Sequence, residues 1–282
     1  MKIALLTERL RVEERLLLDA FASRGHEAEV VAPSRLSVNL ARPAAPGWPL
    51  AVQRAPSRGE HAALLALLAA QGVAVINRPA TARLLADRLA LLRHLVFAGI
   101  PVPETIASFG ETATFAAIEA LGYPVLLKSL SLDAAPLALI EDRDAAEAVI
   151  EHRGVLGGEQ AVLVQRFAAG QGRSERLAIV GSALLGVETR RHHGWRPGRE
   201  APYAPYEGDI SAHHELAQRL VERLGSGCYS IEVVADEDGQ CVVGAENLTD
   251  FRSLSEAGID VAGAIADFAL EQARSAGGAS GG

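Results

Sequence analysis

The feature that most constrains this chain is a change in its hydrophobic rhythm. The front reads as strand–helix–strand, and the back as a succession of strands broken by tight turns. Lys2–Leu6 (KIALL) is an apolar run of strand length. Val12–Arg24 sets Leu16, Leu17, Ala20 and Phe21 on one side of a helix, and Gly25 ends it. Glu29–Ala32 is a second strand, and two strands joined by a helix form the unit of parallel α/β architecture. Pro33–Arg58, rich in Pro, Ala and Arg, reads as irregular. Glu60–Gln71 is then helical, Gly72–Asn77 (GVAVIN) is a strand, and Arg78-Pro79 is a break. A first unit is predicted over 1–79.

The next stretch, 80–167, predicts a small α+β module. Thr81–Ala98 is a helical run stopped by Gly99, and Ile100–Glu104 an extended connector. A helix over Thr112–Leu121 leads through Gly122-Tyr123-Pro124 into a strand ending at Lys128. Leu137–Ile140 is expected to pair with that strand, followed by a helix over Asp142–His152 and a strand over Ala161–Phe167. In the third stretch, 168–274, Leu177–Ile179, Ala183–Thr189, Tyr229–Ala235 and Gln240–Ala245 read as an antiparallel sheet, with Asp238-Gly239 as a hairpin turn. His213–Leu224 and Val261–Arg274 are helical. Residues 275–282 end in GGASGG, a flexible tail with no expected fold.

Composition bounds the function. The chain has 282 residues, 49% of them apolar, enough for two or three packed units. A formal charge of −8 argues against general nucleic-acid binding. Cys228 and Cys241 fit neither a zinc pattern nor a CxxC motif and read as buried thiols in a reducing compartment. MKIALLTERLRVEER becomes charged too soon for a signal peptide, and no apolar stretch approaches the ~20 residues of a membrane span. A cytoplasmic protein with no membrane partner is expected.

Several short segments, in this order, carry a likeness: TERLRVEER (Thr7–Arg15), INRP (Ile76–Pro79), AGIPVPET (Ala98–Thr105), GYPVLLK (Gly122–Lys128), VLGGEQ (Val155–Gln160), VQRF (Val164–Phe167), GRSERLAIVG (Gly172–Gly181), ETRRHHGW (Glu188–Trp195) and AENLTDFRS (Ala245–Ser253). In their order and spacing the chain resembles the ATP-grasp superfamily, its RimK-like branch, and within it the LysX ligases. These join 2-aminoadipate to the terminal glutamate of a small acidic carrier protein, LysW, in lysine biosynthesis. The resemblance implies a parallel α/β domain, a central α+β domain and a C-terminal antiparallel-sheet domain. It also implies ATP, Mg²⁺, an amino-acid substrate, an acidic carrier as partner and a homo-oligomer.

Carried over residue by residue, the resemblance makes Lys128 and Arg88 phosphate contacts, Arg88 standing where a lysine is usual. Gln165, Arg166 and Phe167 lie at the nucleotide hinge, where Arg166 replaces a glutamate. Arg176, Arg190 and Arg191 become the substrate-positioning, catalytic cations. Successive strand residues face opposite ways, so only one of Arg190 and Arg191 enters the cleft. Glu232, Asn247 and Glu246 become the Mg²⁺ ligands. Alignment on Asn247 leaves Ala245 at the second carboxylate position. A β-bulge, with Gln240 as the extra residue, would turn Glu246 toward Glu232. Each assignment has a plainer counterpart: a salt bridge from Lys128 to Asp133 or Glu141, an exposed helix arginine at Arg88, a surface pair of Glu246 with Arg252. Arg9 and Arg11 face either the cleft or the carrier; the plainer counterpart is N-capping by Thr7 or Glu8 with the charges solvated. The basic run of Arg190 and Arg191 with His192, His193, Arg196 and Arg199 would recognise a carboxylate, a phosphate or the carrier.

The departures gather where a nucleotide would sit. Ser129–Pro136 has no glycine and carries Leu130, Leu132 and Asp133, Ser174 replaces an aspartate, and RPGREAPY (Arg196–Tyr203) replaces a glycine-bearing pattern. Two readings therefore stay open: an ATP-dependent carboxylate–amine ligase acting through an acylphosphate, or a catalytically silent homologue that binds a carrier or partner.

Overall fold

The computed structural model describes residues 1–41, 47–130, 138–155, 161–168, 170–191, 202–236 and 239–279. Residues 131–137 of the glycine-free loop, His192, His193, Arg196, Arg199 and Asp238 lie outside them.

The N-terminal sheet contains β1 (Lys2–Leu6), β2 (Glu27–Val31), β3 (Leu50–Gln53) and β4 (Ala74–Ile76), with α1 (Val12–Ser23) and α2 (Gly59–Ala70) as crossovers. Its order is β2-β1-β3-β4 and every pair is parallel. β3 falls within the stretch expected to be irregular. All four of its residues are buried, as suits a central strand covered on both faces, so it carries no polar–apolar alternation.

The predicted helix 81–98 is two helices, α3 (Pro79–Ala86) and α4 (Arg88–Phe97). Asp87 separates them in an extended conformation, and its carboxylate accepts from the Ala90 N–H at 2.9 Å, an N-cap for α4. The break makes Arg88 the first residue of α4. There its N–H donates to the Leu130 carbonyl and its guanidinium to the Ser129 carbonyl, both at 3.1 Å.

The middle sheet holds β5 (Thr105–Ser108), β6 (Val125–Ser129), β7 (Ala138–Ile140) and β8 (Val162–Arg166), flanked by α5 (Glu111–Leu121) and α6 (Arg143–Val155). Its order is β5-β8-β6-β7, all antiparallel. The third sheet runs β11-β10-β9-β12-β13 and is also antiparallel. It is built from β9 (Arg173–Gly181), β10 (Ala183–Arg191), β11 (Ala204–Pro205), β12 (Gly227–Asp236) and β13 (Gly239–Asn247). Helix α7 (Ser211–Leu224) covers it, and α8 (Arg252–Glu256) and α9 (Val261–Ala279) follow. α9 continues past Arg274, the end expected from the glycine-rich tail.

One core joins the first and third sheets: Ile3, Leu17, Phe21 and Val52 pack with Val180, Phe251, Ile265 and Leu270. A second core, including Leu85, Leu95, Leu220 and Ile231, lies under α3, α4 and α7. The middle sheet packs its own core around Ile118, Val125, Ile140 and Val164. Among the described residues no helix is long and apolar enough to cross a membrane.

Candidate functional site: a charged cleft along the edge strand

Strand register aligns the cleft's charges. Glu188 of β10 pairs with Arg176 of β9, which pairs with Glu232 of β12, which pairs with Gly244 of β13. Residues directly opposite one another share a face, so this row projects to one side of the sheet. The register then shifts between Glu232 and Val233: Val233 faces Val242 while Glu232 faces Gly244. The extra residue is Val243, not Gln240, which pairs regularly with Ala235. The bulge sets Glu246 opposite Ser230, on the face of Glu232, and sets Asn247 opposite Tyr229, on the other face.

Lys128, from β6, completes a cavity of about 210 Å³ lined by Arg88, Lys128, Arg176, Tyr203, Glu232 and Glu246, with Leu85, Leu91, Leu92 and Leu95 as its apolar side. Lys128 is only 8% exposed. Burial first, and then the charge of Arg88, push its ammonium down to about 8, against an upward pull from Glu232. Glu246 is reachable by solvent yet hemmed in by protein, and this desolvation raises its carboxyl. Glu232 raises it further, while Arg176 and Arg190 pull it down. Arg176 is bound to buried Glu188 at 2.6 Å and reaches Asp250 at 3.6 Å. Burial raises the Glu188 carboxyl, and Ser253 donates to it.

Arg190 bonds Glu232 at 3.3 Å, and Arg191, its strand neighbour, is exposed. The ring of Tyr203 stacks on both cleft arginines, 3.8 Å from the Arg176 guanidinium carbon and 4.3 Å from that of Arg190. Burial raises the Tyr203 phenol, so it is neutral at pH 7. Sequence reading gave Tyr203 no role. Its only local signal is an aromatic residue shortly after the arginine-rich stretch 190–199 of the sequence.

The other sequence-predicted residues are elsewhere. Gln165 is buried and donates to Thr105 Oγ1 at 2.8 Å, bracing β8 against β5. Arg166 pairs at the surface with Glu104 at 2.9 Å. Arg166 and Phe167 line a separate cavity of about 250 Å³ with Pro101–Glu104 and Gly239–Cys241. The two cavities follow one another along β13, whose residues 239–241 line the second and 242–246 the first. Asn247 is 2% exposed and fully engaged. Its amide donates to the Ala55 carbonyl and accepts from Asn77, and its backbone N–H donates to Ser57.

Arg11 caps α1, bonds Glu14 at 3.0 Å and donates to the Thr249 carbonyl at 2.9 Å. Arg9 and Arg11 line a third cavity, about 970 Å³, at the carboxyl ends of the N-terminal strands with Arg58, His61, Leu36 and Leu64.

Of the three residues expected to hold Mg²⁺, Glu232 and Glu246 share one face of the sheet and Asn247 lies on the other. Asn247 faces away, Glu232 is held by Arg190, and no group of three His, Cys, Asp or Glu able to hold a metal occurs among the described residues.

A parallel α/β unit followed by two antiparallel sheets, with Lys128 of the middle sheet and Arg88 of α4 meeting carboxylates of the last sheet across one cleft, defines an ATP-grasp protein. The family model for the LysX preATP-grasp domain matches residues 3–84. The crystal structure of a RimK domain ATP-grasp protein from Sphaerobacter thermophilus is 55% identical, covers 96% of this chain and 100% of its own, and superposes with a TM-score of 0.88. The glutamate–LysW ligase ArgX of Sulfolobus acidocaldarius is 27% identical over 93% of this chain and 95% of its own. A probable alpha-L-glutamate ligase of Thioalkalivibrio sulfidiphilus is 25% identical over 97% of each. The chain belongs to the ATP-grasp superfamily, in its RimK/LysX-like branch.

Proposed function

We propose that the chain is an ATP-dependent carboxylate–amine ligase acting through an acylphosphate, with an amino acid and a small acidic carrier protein as substrates. The observation that carries this reading is the convergence of Lys128, Arg88, Arg176, Glu232 and Glu246 on one cavity. A carboxylate oxygen attacks the γ-phosphorus of ATP and ADP leaves; the amine then attacks the acyl carbon, phosphate leaves, and the amine gives up a proton. Both steps build negative charge on oxygen, which fixed cations stabilise without reorganising. Lys128, protonated at pH 7, and Arg88 meet the phosphoryl oxygens. Arg176, immobilised by Glu188, orients the substrate carboxylate. Glu246, with its raised carboxyl, accepts the amine's proton. The base of the nucleotide lies against Phe167 in the hinge cavity, so that β13 runs beneath the whole molecule.

The carrier reading draws on the names of the ArgX relatives. Within this chain it is supported by the arginine-bearing cavity of the N-terminal domain, which suits an acidic chain end. The test is phosphate release from ATP with glutamate or 2-aminoadipate and a carrier peptide ending in glutamate, read together with the peptide's mass. Turnover lost in Lys128→Ala supports the ligase; no turnover with any amino acid, together with retained peptide binding, replaces it with a silent carrier-binding homologue. One observation favours that second reading: Arg190 and Asn77 already occupy two of the three groups expected to hold metal.

A further inference from the structure

We propose that Arg190, clamped on the ring of Tyr203, takes the place of a divalent cation at Glu232, so that the cleft receives a polyanionic phosphate ligand without a metal ion. Four features of the cleft carry this.

The first is pairing. Glu188 has Arg176 and Glu232 has Arg190, so both inward carboxylates of the row already have a guanidinium partner. A divalent ion at Glu232 would lie beside the Arg190 charge and would have to expel it.

The second is position. Tyr203 stacks on Arg176 and Arg190 together, and this fixes the plane of the Arg190 guanidinium against Glu232. A guanidinium held on a ring face is oriented before any ligand arrives, which a lysine ammonium would not be.

The third is an unused donor. Arg190 Nε is buried and has no hydrogen-bond partner among the described residues. A buried N–H left unpaired is costly, and an anionic oxygen entering the cleft would satisfy it.

The fourth is the register. The Val243 bulge leaves Glu232 with one acidic neighbour on β13, Glu246, so the ligand set expected for a metal is reduced to two carboxylates, one of them already held by Arg190. Asn247 is turned the other way. The bulge that brings Glu246 in is the same one that takes Asn247 out.

The proposal rests on the cleft assigned above to ATP, but its test needs no turnover: binding that requires Mn²⁺ overturns it and leaves the ligase reading standing, whereas no binding in either condition counts against both. The probes are inorganic tripolyphosphate and Mn²⁺ on the full chain. Tripolyphosphate titrated calorimetrically in EDTA should bind within about twofold of its affinity in Mn²⁺. Arg190→Ala should weaken binding in EDTA by about tenfold or more, the scale of one charge-assisted contact. In the same variant, Mn²⁺ followed by its paramagnetic resonance should gain a site that Glu232→Gln removes. Arg190→Lys, which keeps the charge and the fold but loses the stack, should retain only part of the affinity. Tripolyphosphate binding that requires Mn²⁺ in the unaltered chain overturns the proposal, as does no binding in either condition. So does a Mn²⁺ site that Glu232→Gln abolishes but Arg190→Ala leaves unchanged.

Discussion

Asn77 and Asn247, separated by 170 residues, meet amide to amide at 3.0 Å. Asn77 also donates to the Cys228 carbonyl at 2.9 Å and accepts from the Cys228 N–H at 2.5 Å, so its side chain closes a ring with β12. Asn247 completes the link through Ala55 and Ser57, fastening the end of the last strand to the N-terminal domain. Its work is structural. Asn247→Ala strands the buried Ala55 carbonyl and one side of the Asn77 amide, and it should cost about 2–4 kcal/mol in urea unfolding. Tripolyphosphate affinity should change less than about twofold. Unaltered stability with abolished anion binding would return Asn247 to the ligand site.

Arg54 and Glu14 form a second fastening. Arg54 is 1% exposed; its Nε donates to Glu14 at 3.2 Å, its Nη1 to the Leu248 carbonyl and its Nη2 to the Thr249 carbonyl. Burying such a pair contributes little net stability, but removing one partner strands the other. Arg54→Met should therefore cost about 3–5 kcal/mol and lower the midpoint of thermal unfolding. Adding Glu14→Gln to Arg54→Met should cost less than the sum of the single changes, because both remove the same Arg54–Glu14 contact while Glu14 otherwise keeps its bond to Arg11. Strict additivity would mean the two do not act as a pair.

What the sequence could announce was what lies in local pattern. The β1–α1–β2 unit was legible because apolar spacing and Gly25 mark it residue by residue. The split of Arg190 from Arg191 followed from strand alternation alone. β3 was hidden because a central parallel strand is apolar on both faces and here is short and flanked by prolines. The break at Asp87 interrupts no apolar periodicity, so one helix was read where there are two. The side on which Glu246 and Asn247 project depends on one inserted residue in an otherwise regular ladder. A bulge was foreseeable there, but its placement at Val243 was set by pairing with β12. Tyr203 was illegible as a site residue because its partners, Arg176 and Arg190, are brought to it only by the folded sheet.

Cys228, in β12, is buried in the core shared with the N-terminal sheet, and burial pushes its thiol up to about 12. A thiol so raised carries almost no thiolate at pH 8, and thiolate is the reacting form. Iodoacetamide at pH 8 should leave Cys228 unmodified in the folded chain and alkylate it once urea unfolds the protein, as read by peptide mass. Rapid native alkylation at Cys228 would mean that the core opens far more readily than its packing implies.

Lys128 sets function against stability. Its ammonium is lowered to about 8 from an ordinary 10.5, so the folded state binds its proton less tightly than the unfolded chain. Below pH 8 both states are protonated and the buried charge opposes folding in full. Between about 8 and 10.5 the folded chain has released the proton while the unfolded chain still holds it, so stability rises with pH, and above that window the penalty is gone. Lys128→Met removes the charge and keeps the bulk. It should raise stability by about 3 kcal/mol at pH 7 and by only about 1 kcal/mol at pH 9.5, measured by denaturant unfolding at each pH. The same variant should lose tripolyphosphate affinity by about tenfold or more at pH 7, and in the unaltered chain that affinity should fall as pH rises through about 8. A lysine that served only as a structural ion-pair partner would behave oppositely: Lys128→Met would destabilise the fold at pH 7 and leave the anion affinity where it was.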